Sequence, residues 1–269
     1  MAQWRVWLLP ALLFTVIVCC SAQEDLNVVT NDISEGVTTQ SVTLKCTYHI
    51  PGYYKDNFII TWFFEPSDGG EKMVIMSKTD DENPIYYGRA SGRMEHVGTR
   101  ADLKINRLEL LDDGIYTCDV NFYLAKASGD GKTNLLVHHF VDFVDILQYN
   151  EGDYVWAPAG QEISFDCKAT RAKPAAVLSW YKNNAIVEAE PDKITENSDG
   201  TFNTESTMTM EATLKDHNAR IKCESRQEPR LLQGQRKHDI VVLNTSGTVV
   251  TAGSVIVMTL SILLSHILQ

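Results

Sequence analysis

The sequence predicts an all-β protein built from two tandem β-sandwiches. Two segments repeat one order of features: a cysteine that ends an alternating strand, a tryptophan on the next short apolar strand, and a second cysteine. These residues are Cys46, Trp62 and Cys118 in the first segment and Cys167, Trp180 and Cys223 in the second. Cys, Trp and Cys in this order on short strands are typical of a two-sheet sandwich, and their repetition predicts two such domains.

The strands that lead to each first cysteine alternate in polarity. Their sequences are "SVTLKC" (residues 41–46) and "EISFDC" (residues 162–167). Because every second side chain of a strand shares a face, each segment presents its apolar residues and its cysteine to one side. We therefore expect both strands to line a sandwich core.

Residues 1–22 predict a secretory signal peptide. Arg5 precedes an apolar run from Val6 to Cys20, and small residues follow up to Ala22. A short membrane anchor is the less favoured alternative, because the run is too short to span a bilayer comfortably. We expect cleavage after Ala22 and passage through the secretory pathway.

Four cysteines remain once this leader is removed. In an oxidising compartment an even set favours disulfides over a metal site, and no two of the four have the close spacing of a zinc knuckle. Their order alone permits three pairings.

The charge of the chain limits its partners. Without Arg5, 23 basic residues remain against 35 acidic ones, a net charge of −12. Such a surface repels nucleic acid and acidic lipid headgroups, so we expect neither as a partner.

The stretch "LLDDGIYTC" carries the pattern Asp-x-Gly-x-Tyr-x-Cys at Asp112, Gly114, Tyr116 and Cys118. In one continuous strand these four residues would share a face. Gly114 suits a tight bend that enters the strand. The stretch resembles the end of a variable-type immunoglobulin domain.

This resemblance implies fastening roles rather than a reaction centre. Tyr116 corresponds to the tyrosine corner, and Cys118 is implied to pair with Cys46 across the core tryptophan. Asp112 is implied to form a salt bridge with an arginine at the start of an earlier strand, for which Arg93 in "SGRMEHVG" is the best match.

The first predicted domain, residues 23–139, is similar to the variable-type domains of adhesion proteins of the myelin protein zero and coxsackie–adenovirus receptor type. The segments that carry the resemblance are "ITWFFEPSDGGEKMVI", "GRMEHVG", "DLKINRLELLDDGIYTCDV" and "GKT". The second predicted domain, residues 140–243, resembles the constant-like domain of nectin-type proteins, which implies a Cys167–Cys223 disulfide. It departs from the pattern at "HNARIKC", where Ile221 replaces the corner tyrosine.

The join between the domains, "VHHFVDFVDIL", contains no run of Gly, Pro or Ser. We expect the two domains to continue end to end with limited bending, because flexible linkers are usually rich in small residues.

The tail, residues 244–269, matches a glycosylphosphatidylinositol attachment signal. Small residues are followed by a spacer and then by an apolar run from Val255 to Leu268. Asn244 or Ser246 is the expected attachment residue. The alternative is a transmembrane helix from Val249 to Leu268. With either anchor, we expect no cytoplasmic signalling segment.

Asn244 also begins "NTS", the one Asn-x-Ser/Thr glycosylation sequon of the chain. The sequon overlaps the expected attachment site, so it gives only a weak prediction of a glycoprotein.

Motifs of enzyme chemistry are absent from the sequence. "GDGKT" at residues 129–133 lacks the first glycine of a phosphate loop, because Lys126 stands there, and it is better explained as a hairpin turn. His138 and His139 are strand neighbours that point to opposite faces and cannot easily share a metal. Neither Gly-x-Ser-x-Gly nor His-Glu-x-x-His occurs. We therefore predict no enzyme activity, no cofactor and no metal.

A protein-binding face is the more informative prediction. If Trp62 points inward, Ile59 and Phe63 point outward, which is unusual for a face that meets only water. Related adhesion domains use this same outer sheet face, although a neighbouring loop that covers Phe63 explains the pattern equally well. The predicted partner-binding residues are Ile59, Phe63, Ile75, Asp119, Asn121 and Tyr123.

The resemblance and the anchor together predict a cell-surface recognition protein on the external side of the plasma membrane. Adhesion is the leading hypothesis, with a partner protein on the same or a neighbouring cell, a second copy of the chain included. An immune-type ligand or receptor that signals through a partner is one alternative. An accessory subunit of a membrane channel or receptor complex is another.

Overall fold

The computed structural model describes residues 24–49, 57–80, 82–98, 100–228, 232 and 236–247. The predicted leader and the apolar part of the predicted anchor signal lie outside these residues. Within them, the regular elements are 21 β-strands and three short 3₁₀ turns at Gly88–Ala90, Leu110–Asp112 and Leu214–Asp216. The all-β prediction is confirmed.

The first sandwich contains twelve strands. Their bounds are β1 Glu24–Asp25, β2 Val28–Thr30, β3 Ile33–Val37, β4 Val42–Leu44, β5 Cys46–Tyr48, β6 Phe58–Pro66, β7 Met73–Thr79, β8 Ile85–Tyr86, β9 Met94–Val97, β10 Asp102–Ile105, β11 Gly114–Phe122 and β12 Ala127–His138. One sheet has the order β1-β12-β11-β6-β7-β8, with β3 also paired to β12. The other strands form the ladders β4-β10-β9 and β2-β5, and one apolar cluster fills the interior.

The second sandwich contains nine strands around its own apolar cluster. Their bounds are β13 Phe143–Ile146, β14 Tyr154–Pro158, β15 Glu162–Ala172, β16 Val177–Lys182, β17 Ala185–Val187, β18 Lys193–Glu196, β19 Phe202–Glu211, β20 Ala219–Arg226 and β21 His238–Ser246. The sheets have the orders β13-β15-β19-β18 and β14-β21-β20-β16-β17. Two separate cores support the two-domain prediction, and the exact boundaries at residues 139 and 243 stay predictions.

Each sandwich is joined across its sheets by a disulfide beside a buried tryptophan. Cys46 pairs with Cys118, and Cys167 pairs with Cys223, each with the Cα atoms 6.4 Å apart. Both predicted disulfides are confirmed. In each domain the tryptophan lies directly opposite the second cysteine on the adjacent strand. The buried indole N–H groups are satisfied, since Trp62 donates to the carbonyl of Ala101 and Trp180 to the hydroxyl of Ser206.

A buried carboxylate fastens the end of the first domain. Asp112 is fully buried, and it lies in a 3₁₀ turn rather than on β11, so the prediction that it continues the strand face is wrong. Arg93 contacts both of its carboxylate oxygens at 2.9 Å. Arg89, which no sequence pattern had linked to Asp112, contacts the same carboxylate at 2.8 Å. The ion pair with Asp112 holds the pKa of Arg93 above its usual value.

Two neighbours complete this corner. The hydroxyl of Tyr116 donates to the backbone carbonyl of Asp112 at 3.0 Å, and burial raises the pKa of this phenol. Gly114 begins β11 with a φ of +153°, and a Cβ atom there would lie 2.4 Å from the carbonyl oxygen of Glu65. Only glycine allows β11 and β6 to approach this closely at that point.

The second domain replaces this corner with a simpler one. Ile221 is fully buried where a tyrosine was expected. Asp216 lies in the third 3₁₀ turn and pairs with Lys182 at 2.9 Å. Here one lysine pairs with the aspartate of the turn, where two arginines do so in the first domain, and the buried isoleucine adds apolar contact in place of a hydroxyl hydrogen bond.

The junction between the domains is short and hydrogen-bonded. β12 ends at His138 and β13 begins at Phe143. His139 and Lys173 exchange two backbone hydrogen bonds of 2.8 and 3.0 Å, and the ammonium of Lys173 lies 3.0 Å from the carboxylate of Asp113 in the first domain. The side chain of Gln227 bonds to three backbone groups at this junction. These contacts support the prediction that bending is limited.

We expect Arg93→Ala to lower the free energy of unfolding of the first domain by about 3 kcal/mol, because it leaves part of a buried carboxylate unpaired. The value is at the low end for such a loss because Arg89 remains. Lys104→Ala, which removes an exposed pair with Glu95, should leave the free energy of unfolding almost unchanged, because solvent screens exposed ion pairs. Urea denaturation of the purified extracellular region measures both; equal losses would contradict the fastening role of Arg93.

Candidate protein-binding face

The outer face of the larger sheet in the first domain is a grid of cross-strand neighbours. On β6, Ile60, Trp62 and Phe64 are buried in the core, whereas the residues between them point outward. The register places Phe63 opposite Thr117 of β11, and Thr117 opposite Lys132 of β12. We call this surface the recognition face. It consists of the outward residues Ile59, Thr61, Phe63, Lys72, Val74, Thr117, Asp119, Asn121, Asp130 and Lys132.

The centre of the recognition face is apolar but not bare. Phe63 is half-buried, and the ammonium of Lys72 lies 4.5 Å from the centre of its ring. Val74 pairs with Phe63 from β7 and is 40% exposed, and Ile59 is 38% exposed further along β6. A cation over an aromatic ring is attractive yet leaves most of the ring edge free for contact. Lys72 belongs to the loop between β6 and β7, so Phe63 is covered in part by a residue of a neighbouring loop.

Ile75 does not belong to this face, and its prediction as a partner-binding residue is wrong. Its side chain is fully buried in the core, together with that of Met76. A β-bulge between Trp62 and Phe63 shifts the register of β7, so that Met76 pairs with Trp62 and Val74 with Phe63. The extra residue breaks the simple alternation, and Val74 takes the outward position that the sequence assigned to Ile75.

Two carboxylates lie opposite each other beside Phe63. Asp119 of β11 pairs in register with Asp130 of β12, and Thr61 is its neighbour on β6. Partial burial raises the pKa of Asp119, and the negative charge of Asp130 raises it further, while Lys72 acts in the opposite direction. Like charges directly opposite on adjacent strands destabilise a sheet, so the fold holds this pair at a cost.

One edge of the recognition face is formed by Asn121, Ile59 and the turn that follows β11. Asn121 is exposed and pairs with Ile59. Tyr123 follows β11 directly, is about half exposed, and its hydroxyl bonds to the amide oxygen of Asn57 at 3.3 Å. Of the six predicted partner-binding residues, five therefore lie on or beside the outer surface and one, Ile75, does not.

The glycines of "GDGKT" do not form the expected hairpin turn, so that prediction is wrong. The turn spans residues 123–126, and Gly129 and Gly131 lie within β12. A Cβ atom at Gly129 would lie 2.0 Å from the carbonyl oxygen of Leu26. Glycine is required because the N-terminal segment crosses β12 closely here.

The two junction histidines have separate partners. His138 Nε2 lies 3.6 Å from a carboxylate oxygen of Glu35. His139 bonds through Nδ1 to the hydroxyl of Thr38 and through Nε2 to Asp142. Among the described residues, no group of three or more His, Cys, Asp or Glu side chains is arranged to hold a metal ion.

The two expected lipid-attachment residues differ in their surroundings. Asn244 is buried within β21, where its side-chain oxygen accepts a hydrogen bond from the backbone of Asn218. This buried position in the last strand makes Asn244 less accessible than Ser246 for lipid attachment, and both the attachment residue and a glycan at Asn244 stay predictions. Ser246 is exposed at the end of β21. In the part of the chain that the structure describes, no helix is long and apolar enough to cross a membrane.

Comparison with known protein families gives two matches. The immunoglobulin V-set domain family matches residues 30–138, and the CD80-like C2-set immunoglobulin domain family matches residues 147–230. The two matches follow each other in the order of the two sandwiches.

Relatives with similar sequences cover parts of the chain. V-set and immunoglobulin domain-containing protein 1 of Xenopus laevis is 28% identical over 61% of this chain and 50% of its own length. Myelin protein zero-like protein 2 of Mus musculus is 32% identical over 51% of this chain and 66% of its own. Cell adhesion molecule 3 of Homo sapiens is 27% identical over 45% of this chain and 29% of its own. The chain thus matches half, two thirds and less than a third of the lengths of these relatives.

Solved structures share the two-domain fold. The structure titled Rst D1-D2 has a TM-score of 0.64 at 17% identity and covers 83% of this chain and 100% of that chain. The mouse nectin-like molecule 4 ectodomain has a TM-score of 0.60 at 18% identity and covers 81% of this chain and 67% of that chain. At these identities the likeness concerns the fold alone.

We expect Asp119→Asn to raise the free energy of unfolding at pH 7 by up to about 1 kcal/mol, because it removes the repulsion from Asp130. The raised pKa means that the folded protein binds a proton at Asp119 more readily than the unfolded chain does. The destabilisation that ionised Asp119 causes in the natural protein is therefore present at neutral pH. It disappears as the pH falls below the ordinary aspartate pKa of about 3.9.

Denaturation of the Asp119→Asn protein at pH 7 and pH 3.5 measures this difference. Glu65→Gln, on the same strand as Phe63 but opposite Ile115, is the matched control and should change little. A Asp119→Asn protein that is less stable than the natural one at pH 7 would show that Asp119 is stabilised, not strained, in this position.

Proposed function

The chain belongs to the immunoglobulin superfamily, with a V-set domain followed by a C2-set domain, and we propose that it is a cell-surface adhesion protein. Neither domain family is enzymatic, so its function is recognition. We propose that the recognition face of the V-set domain binds a protein on the same or a neighbouring cell. Relatives named as cell adhesion molecules support an adhesive role.

The observation that carries this proposal is the composition of the recognition face. A water-exposed sheet face normally shows polar side chains, yet here Phe63 and Val74 form an apolar cross-strand pair, and Ile59 lies on the same face of β6 beyond Thr61. Interfaces are built from such an apolar centre surrounded by polar groups. The strained pair of Asp119 and Asp130 beside it gives the face a fixed charge that a partner must match.

The distribution of charge favours a second copy of the chain as the partner. Lys72 lies over Phe63, and Lys132 lies in the same cross-strand row, beyond Thr117. Asp119 and Asp130 form the next row of the same face. Two copies related by a two-fold axis bring each patch against the other, so a face with both signs can complement itself. A different protein with an apolar centre and exposed lysines or arginines would satisfy the same requirement.

Membrane attachment makes weak contacts effective. We propose that the leader directs the chain to the external side of the plasma membrane and that a glycosylphosphatidylinositol anchor at Ser246 retains it there. Many copies in one membrane act together, so an interaction that is weak for a single pair becomes strong for two apposed surfaces.

We expect Phe63→Asp to abolish binding while the fold is retained, because it removes the apolar centre of the face and puts there a carboxylate that is costly to desolvate. Aggregation of beads coated with the purified extracellular region measures self-binding, and capture by cells that lack the protein measures binding to another partner. Val74→Asp should have the same effect.

Val29→Asp provides the matched control. Val29 is 52% exposed, against 40% for Val74, but it lies on β2, which pairs with β5 in the other ladder, so this change should leave aggregation intact. Unchanged binding by a folded Phe63→Asp protein would move the site to another surface. Capture by a second cell type without self-aggregation would favour the ligand or receptor alternative.

The anchor is tested on intact cells. We expect phosphatidylinositol-specific phospholipase C to release the protein into the medium, because cleavage of the lipid leaves no apolar segment to hold it. Antibody staining before and after treatment measures the release, and a known transmembrane protein on the same cells provides the control. Protein that stays on the surface would contradict the lipid anchor and favour a spanning helix.

A further inference from the structure

Three large apolar side chains are exposed at the end of the second domain from which the chain continues toward its apolar tail. Tyr154 is 66% exposed, Trp156 67% and Leu214 63%. Tyr154 and Trp156 alternate along β14 with Val155 and Ala157, which are buried in the core. The outward face of this strand therefore carries two aromatic rings where polar residues are usual.

These side chains lie beside the last residues of β21. β14 runs parallel to β21, with Trp156 opposite Asn244, two residues before the end of the strand. The ring of Trp156 lies 6.5 Å from that of His217, which bonds to the carbonyl of Thr245. Leu214, in the neighbouring 3₁₀ turn, reaches to 3.6 Å from the position that a Cβ atom of Gly247 would have.

The sequence beyond this point fixes how far the surface can lie from a bilayer. The spacer from Gly247 to Ser254 separates the last strand from the apolar run that begins at Val255. A chain of that length spans at most about 28 Å when fully extended. This limit applies if the apolar run spans the membrane. With the lipid anchor proposed above, the spacer is removed and the lipid is attached to Ser246, the last residue of β21. In both cases the base of the second domain lies close to the headgroups.

The chemistry of the exposed side chains selects the occupant. Tryptophan and tyrosine concentrate at the boundary between water and hydrocarbon, where the ring is buried and its N–H or O–H stays hydrated. Neither sign of charge dominates here, since Glu162 and Glu211 are cross-strand neighbours at this end of the domain and the exposed Lys215 stands next to Leu214. A bilayer of neutral, zwitterionic phospholipid is left as the complementary surface.

We propose that Tyr154, Trp156 and Leu214 dock the base of the second domain onto the headgroup layer of a neutral phospholipid bilayer. The inference rests on the membrane attachment proposed above. Docking adds a second point of contact to the anchor, so that the domain is held at a defined tilt instead of rotating freely about the anchor.

Tryptophan fluorescence tests this contact directly. The mature chain has three tryptophans, of which Trp62 and Trp180 are buried in the two cores. The full-length protein is incorporated into vesicles of phosphatidylcholine that is brominated near the ester end of its acyl chains. We expect bromine to quench the Trp156 emission, and we expect Trp156→Phe to remove the quenched component.

A transplanted tryptophan supplies the control. Ile194 is exposed on β18 and pairs with Thr204, seven residues along β19 from its end at Glu211, so it lies at the far end of the same domain. In the double variant Trp156→Phe, Ile194→Trp, the new tryptophan should be quenched by acrylamide from the water and not by the brominated lipid.

The outcomes separate docking from attachment. Protein that floats with the vesicles but shows no lipid quenching of Trp156 would overturn docking and leave the anchor intact. Protein that does not float would contradict attachment and docking together. A Trp156 that is shielded from acrylamide on cells but not quenched by lipid in vesicles would assign this surface to a protein partner and overturn the lipid inference.

Discussion

The disulfide between Cys46 and Cys118, set beside Trp62, determines which side chains of the first domain's central strands face outward and so form the proposed recognition face. Cys118 and Trp62 are directly opposite each other on β11 and β6, and both must point into the core. Because side chains alternate along a strand, fixing these two residues fixes the orientation of all the others on both strands. A slip of one residue would bury Phe63 and Asp119 and expose the tryptophan. The recognition face is thus a consequence of the same constraint that closes the sandwich.

The parity of the central strands could be predicted from the sequence, but local departures from it could not. Ile59, Phe63 and Asn121 point outward because Trp62 and Cys118 point inward, and this needs no coordinates. The prediction that Ile75 faces outward is wrong because a bulge adds one residue to β7. The sequence of a run such as "MVIMS" does not indicate where a bulge occurs. The glycines of "GDGKT" fail for another reason: glycine serves both turns and close strand contacts, and the sequence does not distinguish them.

Contacts between residues that are distant in the chain were also hard to predict from the sequence. Arg93 could be assigned to Asp112 because a family pattern links the two, but Arg89 reaches the same carboxylate through a 3₁₀ turn that no periodicity indicates. The pairing of Asp119 with Asp130 depends on the exact length of the turn after β11, four residues at 123–126. A turn one residue longer would place a different side chain opposite Asp119, so the charge of the recognition face is set by a loop and not by the strands alone.

The location of the repulsion between Asp119 and Asp130 indicates why the fold tolerates it. The first domain pairs its most deeply buried carboxylate, Asp112, with two arginines, and it pairs Asp113 with a lysine of the second domain. Among the cross-strand pairs described for this domain, Asp119 and Asp130 are the only two carboxylates opposite each other. Natural proteins accept such local costs at functional sites and recover stability elsewhere. Here the disulfides, the arginine corner and the hydrogen-bonded junction contribute stability that offsets the repulsion between Asp119 and Asp130.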